Sequence, residues 1–387
     1  MKPNTQLTQL GRQAAATPNT VNLPLHRAST VLFDSIADLN QTQQQFESDE
    51  EVSTYGIFNM PQNLALEKAV AAIEHGYRAL SYPSGMAAVA AALLACVKAG
   101  EHVLMTDSTY GPTRYFCDTF LRRMNVDVTY YAPTIGADIA SLMQPNTTVV
   151  YTESPGSLTF EVQDIPAIAS AARAHGAKVI LDNAWATGLN FDGFKHGVDL
   201  VVQPATKYYA GHSDVLIGLV VANEATWRQL KDTSYALGQR ASPDDCFLAL
   251  RGMRTMGLRL AQHQASAKKI AAWFEAQPEV KRVLYPALES DPSHALWQRD
   301  FTGAAGIFSV EFQPSHTNEI AAMLDGYTYF GIGYSWGGFE SLVVPAHLSR
   351  SAVPWTGGVL VRYQIGLEDA DDLMDDLREG LSRLSSR

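Results

Sequence analysis

Lys207 stands in the stretch DLVVQPATKYYAGHSDVLIG, residues 199–218, between Thr206 and a pair of tyrosines. Residues 199–203 read as a short buried strand, and Pro204 stops its ladder. A lysine at the exit of such a strand is unusual, because a buried ammonium needs a partner or a task. Desolvation lowers a lysine pKa, and the neutral amine is the form that condenses with a carbonyl cofactor. On its own the position would more often mean a stem packed on apolar surface with its head in water. Three further groups bear on the choice. Asp182 lies in the strand-like run KVILDN (178–183), and Tyr110 follows the strand-like HVLMTD (102–107). Ser84 and Gly85 open the run SGMAAVAAALLACV, whose apolar spacing predicts a helix ending at Gly100. A Ser-Gly helix start offers unpaired N–H groups, a hydroxyl and the positive end of the dipole, which suits a phosphate. Singly, these are a strand-end cap, a packed aromatic and an ordinary N-cap.

Together they match the needs of pyridoxal 5'-phosphate (PLP). That cofactor asks for a lysine to hold its aldehyde, a carboxylate at its pyridine nitrogen, an aromatic against its ring and an anion cradle. Lys207, Asp182, Tyr110 and Ser84–Gly85–Met86 supply them.

The elements that must position these groups alternate along the chain. HVLMTD leads to a helical stretch over 112–124, VDVTYYA (126–132) to a short helix near 139–143, and TVVYTE (148–153) to a helix over 165–175. Asp164 reads as the cap of that last helix and Gly176 as its stop. KVILDN and DLVVQ follow. Such alternation predicts right-handed βαβ units and a mainly parallel sheet covered on both faces, with ligands at the carboxyl ends of the strands. Tyr110, Glu153 with Ser154, Asp182 and Lys207 would then converge on one edge. Before this region, residues 1–60 are polar and irregular, and read as an arm that is disordered or wraps another subunit. A helix starting near Pro61 carries Leu66, Val70 and Ile73 on one face. After it, LALRGMRTMGLRLAQHQASAKKIAAWFEAQ reads as one long helix, GIFSVEF (306–312) and VLVRYQIG (359–366) as strands, and Leu373, Leu377, Leu381 and Leu384 as one helix face. The domains expected are 1–60 as the arm, 61–250 as the cofactor-binding domain and 251–387 as a C-terminal domain.

With 387 residues the chain can bury two such cores. The net charge of −11 speaks against nucleic acid. No run is long enough for a membrane span, and the N-terminus lacks a signal-peptide core. Cys96, Cys117 and Cys246 have no close spacing, so no metal site is expected, and reduced thiols in a cytoplasm fit best. GxGxxG and P-loop signatures are absent.

The blocks YPSGMAA, TDSTYGP, ESPGSLTFEVQD, ILDNAW, QPATKYYAGHSD, YSWGGFESL and VRYQIGLED resemble those of the Cys/Met-metabolism family of PLP-dependent enzymes from about residue 25 onward. ESPGSLTFEVQD, YSWGG and IGLED are most similar to the bacterial cystathionine beta-lyase branch. The resemblance implies the α/β fold type I (aspartate-aminotransferase-like) architecture, with a seven-stranded-type sheet and a smaller α+β C-terminal domain. It implies a cytoplasmic homotetramer, a dimer of dimers with shared active sites, working in methionine biosynthesis on a small amino-acid thioether. The expected reaction is α,β-elimination of cystathionine. Other S-substituted cysteines, a γ-lyase or γ-synthase, and a non-catalytic binding homologue are the alternatives.

The same resemblance implies roles. Lys207 holds the aldehyde and moves the Cα proton, and Asp182 pairs with the pyridine nitrogen. Tyr110 stacks on the ring and takes a proton from the incoming amine. Ser84, Gly85, Met86 and Thr206 hold the phosphate, with Tyr55 reaching in from the neighbouring subunit. Arg362 clamps the substrate α-carboxylate, and Ser335 and Trp336 border the substrate. Three positions depart from the family pattern: Ile57 where an arginine is usual, Pro204 for a serine, and Ala184 for a threonine.

Overall fold

The computed structural model describes residues 1–12 and 20–384; parts of the expected arm and C-terminal domain, 13–19 and 385–387, fall outside it. Seven strands pair in one sheet: β1 (Arg78–Tyr82), β2 (His102–Thr106), β3 (Asp127–Tyr131), β4 (Thr147–Glu153), β5 (Lys178–Asp182), β6 (Leu200–Gln203) and β7 (Gly218–Ala222). Their order across the sheet is β1-β7-β6-β5-β4-β2-β3. The pairs among β2 to β6 are parallel, while β7 runs antiparallel to both β1 and β6. Apolar runs such as Val201–Val202 and Leu219–Val221 are buried on both faces, as a sheet covered by helices on each side requires.

β1 is a strand that hydrophobic patterning misses, because Arg78 and Ser81 interrupt it. Its buried polar group is satisfied instead: Glu67 accepts both the N–H and the hydroxyl of Ser81, at 2.8 and 2.7 Å. The helices start where their caps predict. Ser84 Oγ accepts the Ala87 N–H at 3.1 Å ahead of the helix Gly85–Cys96, and Asp164 accepts the Ala167 N–H at 3.2 Å ahead of Ile165–His175. Gly176 ends the latter at φ 86°, in the left-handed region that favours glycine.

Two expectations need correction. The first 60 residues are not wholly irregular: they hold helices Pro3–Gln9 and Ile36–Glu47. The second has no buried residue, which hides it from apolar periodicity, and Ser35 accepting the Asp38 N–H starts it. The long helix expected after residue 248 is two, Pro243–Met253 and Met256–Glu275. At the break, Arg254 Nη1 donates to the carbonyls of Leu7 and Leu10 at 2.8 and 2.6 Å, so the arm's first helix is tied to the joint.

A second sheet follows in the order β10-β11-β12-β9-β8, from β8 (Val280–Leu284), β9 (Ile307–Phe312), β10 (Gly331–Ile332), β11 (Leu342–Pro345) and β12 (Leu360–Gln364). The helix Ala370–Ser382 closes it, with Leu373, Leu377 and Leu381 buried.

Candidate active site

A cavity of about 330 Å³ opens at the carboxyl ends of β4, β5 and β6, and the second sheet supplies its far wall. Tyr110, Glu153, Asp182 and Lys207 line it together with Ser84, Gly85, Met86 and Thr206 from the first sheet's side. Ser335, Trp336 and Arg362 line it from the other side. Tyr55 does not: it lies half exposed in the arm, bridged to Thr30 and Phe58.

Lys207 Nζ donates to Ser335 Oγ at 2.8 Å and lies 5.1 Å from the Trp336 ring centroid. Burial, and then the like charge of Arg362, push its pKa down to about 8 against the pull of Asp182. Asp182 is buried at the end of β5. It accepts the Ala184 N–H at 3.1 Å and the Tyr151 hydroxyl at 3.5 Å. Burial pushes its pKa up to about 6 in spite of these donors and Lys207. A protonated ring nitrogen opposite such a carboxyl would supply a charged partner and keep it ionised.

The phosphate end is built from backbone. The first N–H groups of a helix have no intrahelical carbonyl to meet, and those of Gly85–Cys96 face the cavity through Gly85 and Met86. A Cβ on Gly85 would come within 2.9 Å of the Pro204 Cβ, so only glycine fits this close approach. Thr206 lines the cavity, yet its hydroxyl is engaged on both sides: it accepts the Ile217 N–H at 2.8 Å and donates to the Ile217 carbonyl at 3.2 Å.

Arg362, on β12, donates through Nη2 to the Ser335 carbonyl at 2.9 Å. Its Nε is buried with no acceptor among the described residues. Burial lowers its pKa to about 10, still fully cationic at neutral pH. A buried guanidinium that lines a cavity fits a small carboxylate. The residues present thus fit PLP at one end and an amino acid's carboxylate at the other.

Glu153 reaches the cavity with a structural task that strand-end position alone did not reveal. Its carboxyl accepts the Tyr110 N–H at 2.7 Å and the Thr109 hydroxyl at 3.4 Å, fixing the turn on which Tyr110 stands. Burial, then the charge of Asp182, raise its pKa well above the ordinary carboxyl range. Sequence reading missed the wall formed by Pro155–Leu158 and Phe160, and Tyr334 at the rim. Leu158 and Phe160 adopt φ 66° and 55°, a loop geometry with no signal in residue type.

Comparison with known proteins accords with this geometry. Residues 4–382 match the family described as Cys/Met metabolism PLP-dependent enzyme. A protein of Rhizobium johnstonii provisionally named a cystathionine beta-lyase is 47% identical, over 99% of this chain and 96% of its own. The cystathionine beta-lyase of Haemophilus influenzae is 42% identical, over 99% and 98%. The crystal structure of a cystathionine gamma-lyase from Lactobacillus plantarum, complexed with L-serine, superposes with a TM-score of 0.91 at 28% identity, over 100% of both chains.

Proposed function

The chain belongs to the Cys/Met metabolism family of PLP-dependent enzymes, and from that premise we propose that it splits cystathionine by α,β-elimination. The reaction takes cystathionine and water to homocysteine, pyruvate and ammonia. PLP is the cofactor; when bound, it supplies the electron sink that makes the substrate Cα–H acidic.

The chain's own residues do the rest. Lys207 would hold the cofactor aldehyde, and its amine, brought down to a pKa of about 8 by burial, would take the Cα proton once the substrate amine has freed it, so that the thiolate can leave from Cβ. Tyr110 would stack on the ring and take a proton from the incoming amine, and Asp182 would keep the pyridine nitrogen protonated. Gly85 and Met86, with Ser84 as their cap and Thr206 nearby, hold the phosphate. Arg362 clamps the α-carboxylate, while Ser335 and Trp336 border the substrate. The observation that carries the reading is the shared hold of Ser335 on Lys207 and Arg362, which places base and clamp at one substrate.

The working unit in this reading is a homotetramer in the cytoplasm, a dimer of dimers. Tyr110, Leu216 and Tyr334 are exposed large side chains that line one cavity, and apolar surface gathered in this way favours a protein partner. A neighbouring copy would cover it and bring its own Tyr55 toward the cavity. Three buried free cysteines suit a reducing compartment. The keto acid released from cystathionine tests the reaction. Pyruvate is expected; dominant α-ketobutyrate with cysteine would make the protein a γ-lyase.

A further inference from the structure

Asp107, the residue after β2, carries bonds that this chemistry does not use. Its buried carboxylate accepts the backbone N–H groups of Ser351, Ala352 and Val353, each at 2.9 Å, and Arg114 Nη2 at 2.5 Å. Burial would raise its pKa; the Ser351 and Val353 N–H groups and Arg114 outweigh burial and hold it below the usual range. Three successive N–H groups turned on one carboxylate form a nest, a geometry selective for negative charge. The carboxylate belongs to the first sheet. The nest belongs to the loop between β11 and β12 of the second sheet.

The neighbouring residue extends the same strap. Arg350 Nη1 pairs with Glu161 at 2.9 Å, and its Nη2 bonds the Thr159 hydroxyl. Thr159 and Glu161 flank Phe160 on the loop that walls the cavity. The strap therefore grips both large-sheet loops at the site. One carries Tyr110, whose N–H is pinned by Glu153. The other carries Pro155–Phe160. Beyond Val353 the strap runs directly into β12 and Arg362.

We propose that Asp107 is a positioning residue: by docking residues 351–353 it fixes the spacing between the Tyr110 turn and the β12 strand that carries Arg362. A local Asp107–Arg114 ion pair would need no nest and no second anchor at Arg350. The inference rests on the β-lyase reading, because substrate binding is read with cystathionine.

The test compares full-length PLP-loaded parent, Asp107→Asn, Arg350→Ala and the double variant. Asparagine keeps the volume but removes the charge from five donors, the three N–H groups, Arg114 and the Ser351 hydroxyl at 3.3 Å. Losing charge-assisted bonds of this kind should raise KM about tenfold in Asp107→Asn, with kcat within about threefold and the PLP dissociation constant within about twofold. Arg350→Ala should raise KM in the same direction by less. The double variant should fall short of the product of the two, since both hold one loop. Chymotrypsin should cut within residues 346–358 faster in each variant than in the parent. Unchanged KM in both single variants, or kcat and cofactor lost together at constant KM, would overturn the proposal. Should Asp107→Asn fail to fold, Arg350→Ala decides it by the same KM and cleavage readings. A parent without turnover on cystathionine would instead strike at the β-lyase reading, and the cleavage rates would then decide the strap alone.

Discussion

Ser335 accepts the Lys207 amine on its hydroxyl at 2.8 Å while its own carbonyl accepts Arg362 at 2.9 Å. It does so from φ 73°, a left-handed conformation that costs a non-glycine residue about 1 kcal/mol or more. The strain turns hydroxyl and carbonyl toward two cations that belong to different sheets. An amine and a guanidinium are thereby held at one point of the cavity.

Lys207 should therefore be the lysine that carries the cofactor. The purified protein should be yellow, and borohydride reduction should fix a pyridoxyl group on the peptide containing Lys207. Label on a different lysine would refute the assignment. Lys207→Ala removes both the anchor and the proton carrier, and should lose about three decades of rate or more.

The lowered Lys207 pKa, about 8, gives a pH prediction for the cofactor-free protein. The neutral amine attacks the aldehyde, so the rate of PLP capture should climb with pH through about 8 and level off above it. The stability effect has a definite sign. Between about 8 and the unfolded value near 10.4, the unfolded chain binds a proton that the native chain does not, so stability rises with pH in that window. Below it the burial penalty, about 3 kcal/mol at 1.36 kcal/mol per unit, is fully present. Removing the like charge in Arg362→Ala should move the capture midpoint upward. A midpoint that stays put would mean Arg362 does not depress the lysine.

Arg362→Ala should raise the KM for cystathionine more than it lowers kcat, because substrate capture loses a planar two-point contact. Arg362→Lys should not restore it, since an ammonium is a point charge on a flexible stem. Steady-state kinetics at saturating PLP checks this. An unchanged KM in the alanine variant would remove Arg362 from the clamp role.

The strand-ending residues were legible because a parallel sheet brings its carboxyl ends to one edge whatever the loops do. Asp182 and Glu153 could be placed from apolar runs alone, and the cap at Ser84 from residue type. The second sheet was half legible: GIFSVEF and VLVRYQIG stood out, while β8, with exposed Lys281 and Arg282, and the short β10 and β11 did not. The Asp107 nest had no signature at all. Its partners, Ser351, Ala352 and Val353, bind through backbone N–H groups that every residue but proline owns. The break at Arg254 was hidden for a related reason, since the helical pattern runs through it and the arm's carbonyls hold it.

Ile57 stands where the family pattern usually has an arginine, and it packs beside Gly238, its Cδ1 3.8 Å from where a Cβ there would lie. An arginine–phosphate contact is worth about 1.5–3 kcal/mol, so its loss should weaken PLP binding about ten- to hundredfold. Thr206 offers little compensation, because its hydroxyl already exchanges bonds with both backbone groups of Ile217. Attachment at Lys207, the helix start at Gly85 and the contacts proposed for Asp182 and Tyr110 would be left to retain the cofactor. The protein should turn over when supplied with PLP and shed it on dialysis. Ile57→Arg should tighten binding by about tenfold or more if the arm of one subunit reaches its neighbour's cavity. Titrating PLP into cofactor-free parent and Ile57→Arg at matched ionic strength measures the difference. Equal affinities would mean that the arm runs elsewhere, or that another cation already meets the phosphate, and the missing clamp would be abandoned.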